Sequence, residues 1–98
     1  MSLQTITEQF QAQANKAPAM EKTLKFVFEE GVVFLDMTGE TPSVTNDDRE
    51  ADCTIITSVK TLDALRKGEL NPMMAVMSGK VKIKGDMGVA MKLQSLLS

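Results

Sequence analysis

The chain has 98 residues and a formal net charge of −2, so it is long enough for one domain with a single core and too short for two. The slight negative charge argues against a nucleic-acid-binding surface, which needs a clear positive excess, and no apolar run approaches the ~20 residues of a membrane span. A single cysteine and an N-terminus without a secretion-signal pattern indicate one cytoplasmic domain over residues 1–98.

The first half of the sequence predicts a helix followed by three strands. Ser2 is suited to cap the helix, and Pro18 prevents its continuation. Alternating apolar residues then predict two strands joined by a turn at Glu29–Gly31, with a short third strand near Val44. The apolar residues of these patterns are Leu3, Ile6, Phe10 and Ala14 in the helix, and Leu24, Phe26, Phe28, Val33, Leu35 and Met37 in the strands.

A fourth strand and two helices are predicted next. Cys53 and Ile55 face inward from the strand, although Ile56 breaks the strict alternation. The residues that begin and end the helices are Ser58 and Gly68 for the first, and Asn71, Pro72 and Ser78–Gly79 for the second. The second helix is short, and methionines and small apolar residues form most of its surface.

The end of the chain reads as a strand, a tight turn and a helix. Val81 and Ile83 are predicted to point inward, and the lysines that alternate with them point to water. Asp86 is placed to cap the last helix, whose apolar residues begin with Met87 and Met91. This helix has few polar residues and must be largely buried. A five-stranded sheet with helices on one face would bury it, so the predicted fold class is α+β.

The sequence offers few residues that could catalyse a reaction or bind a metal ion. The chain has no histidine, which excludes histidine-based acid–base relays and the usual zinc sites. Cys53 lies in a strand without an evident base and is expected to be structural. The acidic run from Asp47 to Asp52 lacks the glycine and the final glutamate of a calcium loop. Gly85 and Gly88 flank Asp86, which would repel a phosphate, so a tight turn is the better interpretation. We predict no catalytic residue, no metal and no cofactor.

Three motifs in the second half resemble the sterol carrier protein type 2 domain family. They are ADCTI in the fourth strand, GELNPMMA between the two helices and GKVKIKGDMGVAMKLQSLL at the end. The resemblance implies a five-stranded, mostly antiparallel sheet with helices on one face, enclosing an apolar tunnel. It also implies non-catalytic binding and transfer of a fatty acid, acyl-CoA, phospholipid or sterol.

The composition suits such a tunnel, because eight methionines supply flexible side chains that fill irregular space. By face and chemistry, the predicted lipid-binding residues are Phe26, Leu35, Leu65, Met73, Met74, Met77, Ile83, Met87 and Met91. A Met-rich core without a guest is the alternative. The other functions left open are an interaction module that forms a homodimer and an accessory subunit that presents lipid to a separate enzyme. The lysine row leaves open a transient contact with a membrane.

Overall fold

The computed structural model describes residues 2–15 and 21–89. The elements in chain order are α1 (Leu3–Ala14), β1 (Thr23–Phe28), β2 (Gly31–Asp36), β3 (Ser43–Thr45), β4 (Cys53–Ile56), α2 (Val59–Arg66), α3 (Pro72–Met77) and β5 (Lys82–Gly85). Residues 87–89 are also helical. The remainder of the predicted last helix, including Met91, lies outside the described residues. Of the helices in the described part of the chain, none combines the length and apolarity needed to cross a bilayer.

Local signals place the helix ends where the sequence predicts them. The side chains of Ser2, Ser58 and Asn71 each accept a hydrogen bond from a backbone N–H in the first turn of their helix, which satisfies one of its free donors. Gly68 and Gly79 follow α2 and α3 with φ of 74° and 80°, a conformation that glycine adopts without a Cβ penalty. The predicted caps of these three helices and the stops after α2 and α3 are therefore confirmed, whereas Pro18 lies outside the described residues.

The five strands form one mixed sheet in the order β3-β2-β1-β4-β5. The β1–β2, β2–β3 and β4–β5 pairs are antiparallel, and β1 and β4 run parallel, with Leu24 beside Cys53 and Phe26 beside Ile55. The predicted α+β class and mostly antiparallel sheet are confirmed. The parallel pair at the centre requires the chain to leave β1, pass through β2 and β3, and return across the sheet to β4.

The core lies between one face of this sheet and the helices. Phe26 is 1% exposed, and its ring stacks on that of Phe10 of α1 with a centroid distance of 4.6 Å. Leu62 of α2 and Ala75 of α3 belong to the same buried cluster, so the three helices cover the same face. Burial of a side chain such as phenylalanine contributes about 1.5–3 kcal/mol, which makes this contact a main source of stability.

The opposite face of the sheet is partly covered by the loop that returns the chain to β4. Lys25 of β1 donates a hydrogen bond to Asp48 over 3.0 Å, and Asn46 donates to the carbonyl oxygen of Val32 over 2.9 Å. The guanidinium of Arg49 lies 4.9 Å from the ring centroid of Phe34, which is only 2% exposed. This loop, which includes the acidic run discussed above, therefore shields an aromatic side chain from water.

Candidate functional site

Among the described residues, α3 stands out because it directs apolar side chains outward. Met73, Met74, Val76 and Met77 are 70%, 58%, 42% and 78% exposed. Ala75 is the residue of this helix that is buried in the core. Isolated apolar side chains on a surface are ordinary, but four within one short helix form a patch, and such patches mark sites that bind a ligand or partner. We call these four residues the exposed face of α3.

Backbone hydrogen bonds of the turn after α3 tie this helix to the residues that lead into β5. The Ala75 carbonyl oxygen accepts from the N–H groups of Lys80 and Val81, over 2.9 and 3.1 Å. Val81 is 7% exposed and continues the chain into β5. The position of α3 is thus set mainly by the turn that follows it. The methyl group of Ala75 is the part of α3 that is buried in the core.

Strand β5 leads directly to the closing helical segment through a crowded turn. Gly85 lies opposite Cys53 and has φ of 100°, and a Cβ added there would stand 2.3 Å from the Asp52 carbonyl oxygen. The Asp86 carboxylate accepts from the N–H groups of Gly88 and Val89 over 2.8 and 3.4 Å. Asp86 therefore caps this helical segment as the sequence predicted, and Gly85 is required by close packing.

The predicted lipid-binding residues fall into three environments. Phe26 and Leu35 are fully buried in the core, on the inner face of the sheet. Leu65 and Ile83 are half-buried and pack against the edge of that core. The methionines among the predicted residues are exposed where the structure describes them: these are Met73, Met74, Met77 and Met87. Met91 lies outside the described residues. The structure brings the buried and half-buried residues into one cluster and places the methionines around its outside.

An open groove of about 530 Å³, which the sequence analysis did not identify, lies at the end of the sheet where β1 ends and β5 begins. Val27 and Ile56 form an apolar part of its lining, and Lys80 and Lys82 add positive charge. Glu29 lines the same groove and adds one carboxylate. One feature of the sequence pointed to this groove. Ile56 interrupts the alternation of apolar and polar residues in β4, and this places a large apolar side chain on the outer face of the sheet.

The titratable groups at the opposite end of β4 from this groove take part in structural contacts. Burial, with a smaller effect from the negative charge of Asp86, raises the pKa of the Cys53 thiol. The thiol therefore stays protonated near neutral pH and is a poor nucleophile. Hydrogen bonds from the backbone N–H and the hydroxyl of Thr23, over 2.9 and 3.1 Å, lower the pKa of Asp52. Through these hydrogen bonds, the Asp52 carboxylate links the first residue of β1 to the residue that precedes β4.

Comparison with known proteins identifies relatives with this architecture. The sequence model of the SCP-2 sterol transfer family matches residues 3–98. "Sterol carrier protein 2" from Bos taurus is 53% identical over 51 residues, which is 52% of this chain and 9% of that protein's length. "Hydroxysteroid dehydrogenase-like protein 2" from Danio rerio is 34% identical in an alignment of 91 residues that covers 84% of this chain and 22% of that protein. The solution structure of palmitated SCP2L2 from Aedes aegypti shares the fold, with a TM-score of 0.70 and 20% identity over 99% of this chain and 95% of that one.

Proposed function

Because the chain belongs to the SCP-2 sterol transfer family, we propose that it binds a lipid non-covalently and transfers it between membranes, without catalysing a reaction. The ligand class is a fatty acid, an acyl-CoA or a similar lipid, with phospholipid and sterol in the same class. The match of the family model over residues 3–98 is the observation that carries this function. The palmitated state of the mosquito relative supports a fatty acid as the first ligand to test.

The proposed site is the space between the inner face of the sheet and the helices. Its floor is formed by Phe26 and Leu35, and its margin by Leu65 and Ile83. A ligand reaches this floor only if a helix moves aside. The methionines of α3, with Met87 and Met91, then close around the acyl chain. Since a methionine side chain is unbranched and flexible, this rearrangement accommodates chains of different shape.

Among the described helices, where α2 buries Leu62, α3 buries the smallest side chain. Its buried contact is Ala75, whereas α1 buries Ile6, Phe10 and Ala14. The Ala75 methyl group contributes about 1 kcal/mol through its burial, because each buried carbon of this size contributes roughly 0.8 kcal/mol. Elements with few buried apolar contacts open at low free energy, so α3 is the proposed entrance.

Binding does not require a polar anchor. A dozen methylene groups transferred from water contribute on the order of 10 kcal/mol. Ordering the ligand and the protein costs several kcal/mol, which leaves about 5–7 kcal/mol, or dissociation constants of roughly 10–200 μM. Each added methylene should then strengthen binding about fourfold until the site is full. Chain length sets affinity more strongly than the identity of the headgroup.

Calorimetric titration with fatty acids of increasing chain length tests this proposal. We expect affinity to rise with length and then to level off. Ile83→Gln should weaken binding because it places an amide at the margin of the site, whereas Lys84→Gln, on the opposite face of the same strand, should leave affinity unchanged. Affinity that does not depend on chain length would contradict an apolar site. Native mass spectrometry of protein purified from cells would identify the lipid that it carries.

A second candidate role is that of a lipid-presenting module for an enzyme. The observation that favours it is the Danio rerio relative, of whose length this chain matches 22%. Co-purification with an enzyme activity that depends on the carried lipid would support this role. A homodimer stays a prediction that light scattering checks, and the cytoplasmic location stays a prediction that cell fractionation checks.

A further inference from the structure

We propose that the methionines of α3 are a site of reversible oxidation by hydrogen peroxide, and that this modification lowers the affinity for lipid without unfolding the domain. The site comprises Met73, Met74 and Met77, which we call the α3 methionines. The effect on affinity rests on the proposed function, because it requires these side chains to close around an acyl chain. Their oxidation is a separate property, which mass spectrometry measures without any ligand.

The composition of the chain leaves methionine as the main target of a mild oxidant. The sequence contains eight methionines and one cysteine, and no histidine, tryptophan or tyrosine. Cys53 is buried, and this burial raises the pKa of its thiol. Because peroxide reacts with the thiolate, this cysteine reacts slowly near neutral pH. A thioether has no proton to lose, so the reactivity of the α3 methionines does not depend on such a titration.

Exposure to solvent separates the α3 methionines from the methionine of the core. The structure describes five of the eight methionines. The α3 methionines and Met87 are all more than half exposed, whereas Met37 packs in the core and is 3% exposed. An oxidant in solution must reach the sulfur atom to react. Peroxide should therefore convert the α3 methionines in the native protein and spare Met37.

The reaction converts a thioether into a sulfoxide. A lone pair of the methionine Sδ atom attacks one oxygen of hydrogen peroxide, so that an S–O bond forms and the O–O bond breaks. The released hydroxide takes the proton from the transferred oxygen and leaves as water. Sulfur is oxidised by two electrons, and peroxide is reduced by two. The product is a polar side chain that accepts hydrogen bonds and donates none.

This change has different consequences for the free and the lipid-bound protein. In the free protein the α3 methionines lie in water, and the buried part of the helix is Ala75, so the new S–O groups stay hydrated and the fold is retained. In the proposed complex the same side chains surround an acyl chain, which offers no hydrogen-bond donor. Burial of one sulfoxide there should weaken binding about tenfold. Oxidation thus acts on the affinity for lipid.

Peptide mass spectrometry after treatment of the native protein with hydrogen peroxide tests the site itself. Each sulfoxide adds one oxygen atom to its peptide. The α3 methionines should be converted more than about tenfold faster than Met37, because the oxidant reaches a buried sulfur only when the domain opens. In concentrated urea the rates should become similar. Equal rates in the native protein would overturn the proposal.

Calorimetric titration with dodecanoic acid before and after oxidation tests the effect on affinity. Two proteins isolate the contribution of α3, and leucine keeps each replaced side chain apolar and similar in volume. The first retains the α3 methionines and carries Met20→Leu, Met87→Leu and Met91→Leu. The second carries in addition Met73→Leu, Met74→Leu and Met77→Leu.

Each of these proteins is compared with itself before oxidation. Peroxide should weaken binding by about tenfold or more in the first protein and by less than about twofold in the second. The melting temperature should stay the same in both. Methionine sulfoxide reductases A and B, which each reduce one sulfoxide epimer, should restore the affinity of the first protein.

The outcomes separate this inference from the proposed function. If the unoxidised chain does not bind dodecanoic acid, the carrier function fails and the effect on affinity fails with it. If it binds and oxidation of α3 leaves the affinity unchanged, the inference fails and the carrier function stands. If peroxide lowers the melting temperature, or weakens binding equally in both proteins, the loss of affinity comes from damage elsewhere and the inference is wrong.

Discussion

Substitution of Gly85 by alanine should destabilise the fold strongly, because this residue lies in the tightest backbone contact described above. A Cβ at this position would stand 2.3 Å from the carbonyl oxygen of Asp52 and 3.3 Å from the Cα of Cys53. These are backbone atoms of the neighbouring strand and cannot rotate away as a side chain can. The Asp86 N–H also donates to the same carbonyl oxygen over 2.8 Å.

The expected loss has two contributions, a backbone penalty and a weakened hydrogen bond. A φ of 100° at a residue with a side chain costs about 1–3 kcal/mol. The carbonyl group must retreat by about 1 Å to reach ordinary contact. That movement weakens the backbone hydrogen bond from Asp86, which contributes about 1 kcal/mol. Together they amount to about 3 kcal/mol, or roughly 12–24 °C in the melting temperature of a domain of this size.

Urea denaturation followed by circular dichroism measures this loss, and Gly68→Ala is the matched control. Gly68 has φ of 74°, and a Cβ there would meet no atom within 4 Å. The control therefore retains the backbone penalty of about 1 kcal/mol without the clash. If Gly85→Ala costs no more than Gly68→Ala, the close approach of β5 to β4 and the reasoning from it are wrong.

Three further outcomes follow from the polar and aromatic contacts. Hydrogen bonds from Thr23 hold the pKa of Asp52 below its ordinary value of 3.8, so their stabilisation is complete above pH 3.8 and disappears as the pH falls through the folded-state pKa. Thr23→Val should reduce the loss of stability between pH 5 and pH 2 in urea titrations, and an unchanged profile would contradict this. Cys53 is buried, so it should react with a thiol reagent at neutral pH only as the protein unfolds; fast reaction of the native protein would refute its placement. Arg49→Ala should uncover Phe34 and lower the free energy of unfolding by about 0.5–1 kcal/mol, with Arg49→Lys intermediate.

Much of the fold follows from short-range patterns. The caps at Ser58 and Asn71, the inward direction of Cys53 and Ile55, and the stop at Gly68 were all predicted and are confirmed. Each depends on a few neighbouring residues, because capping and strand alternation are set by local hydrogen bonding and backbone geometry. The motifs in the second half of the chain also indicated the sterol carrier protein type 2 domain family, and the match of the family's sequence model confirms this prediction.

The surroundings of the candidate site residues were predicted less well than the fold. Met73, Met74 and Met77 were predicted to line a cavity, since apolar side chains are expected to be covered, and the structure places them on the surface. Their contact with lipid stays a prediction. Sequence spacing shows which residues share a side of a helix but not whether another element lies over that side.

The sequence by itself determined the strands, the caps of the described helices and the inward direction of the alternating strand residues, because those depend on neighbours along the chain. Only the tertiary structure decided that β1 and β4 run parallel, that the returning loop shelters Phe34 beneath Arg49, and that α3 meets the core through Ala75. These features depend on segments distant in the chain, whose contacts are chosen by the packing of the whole domain.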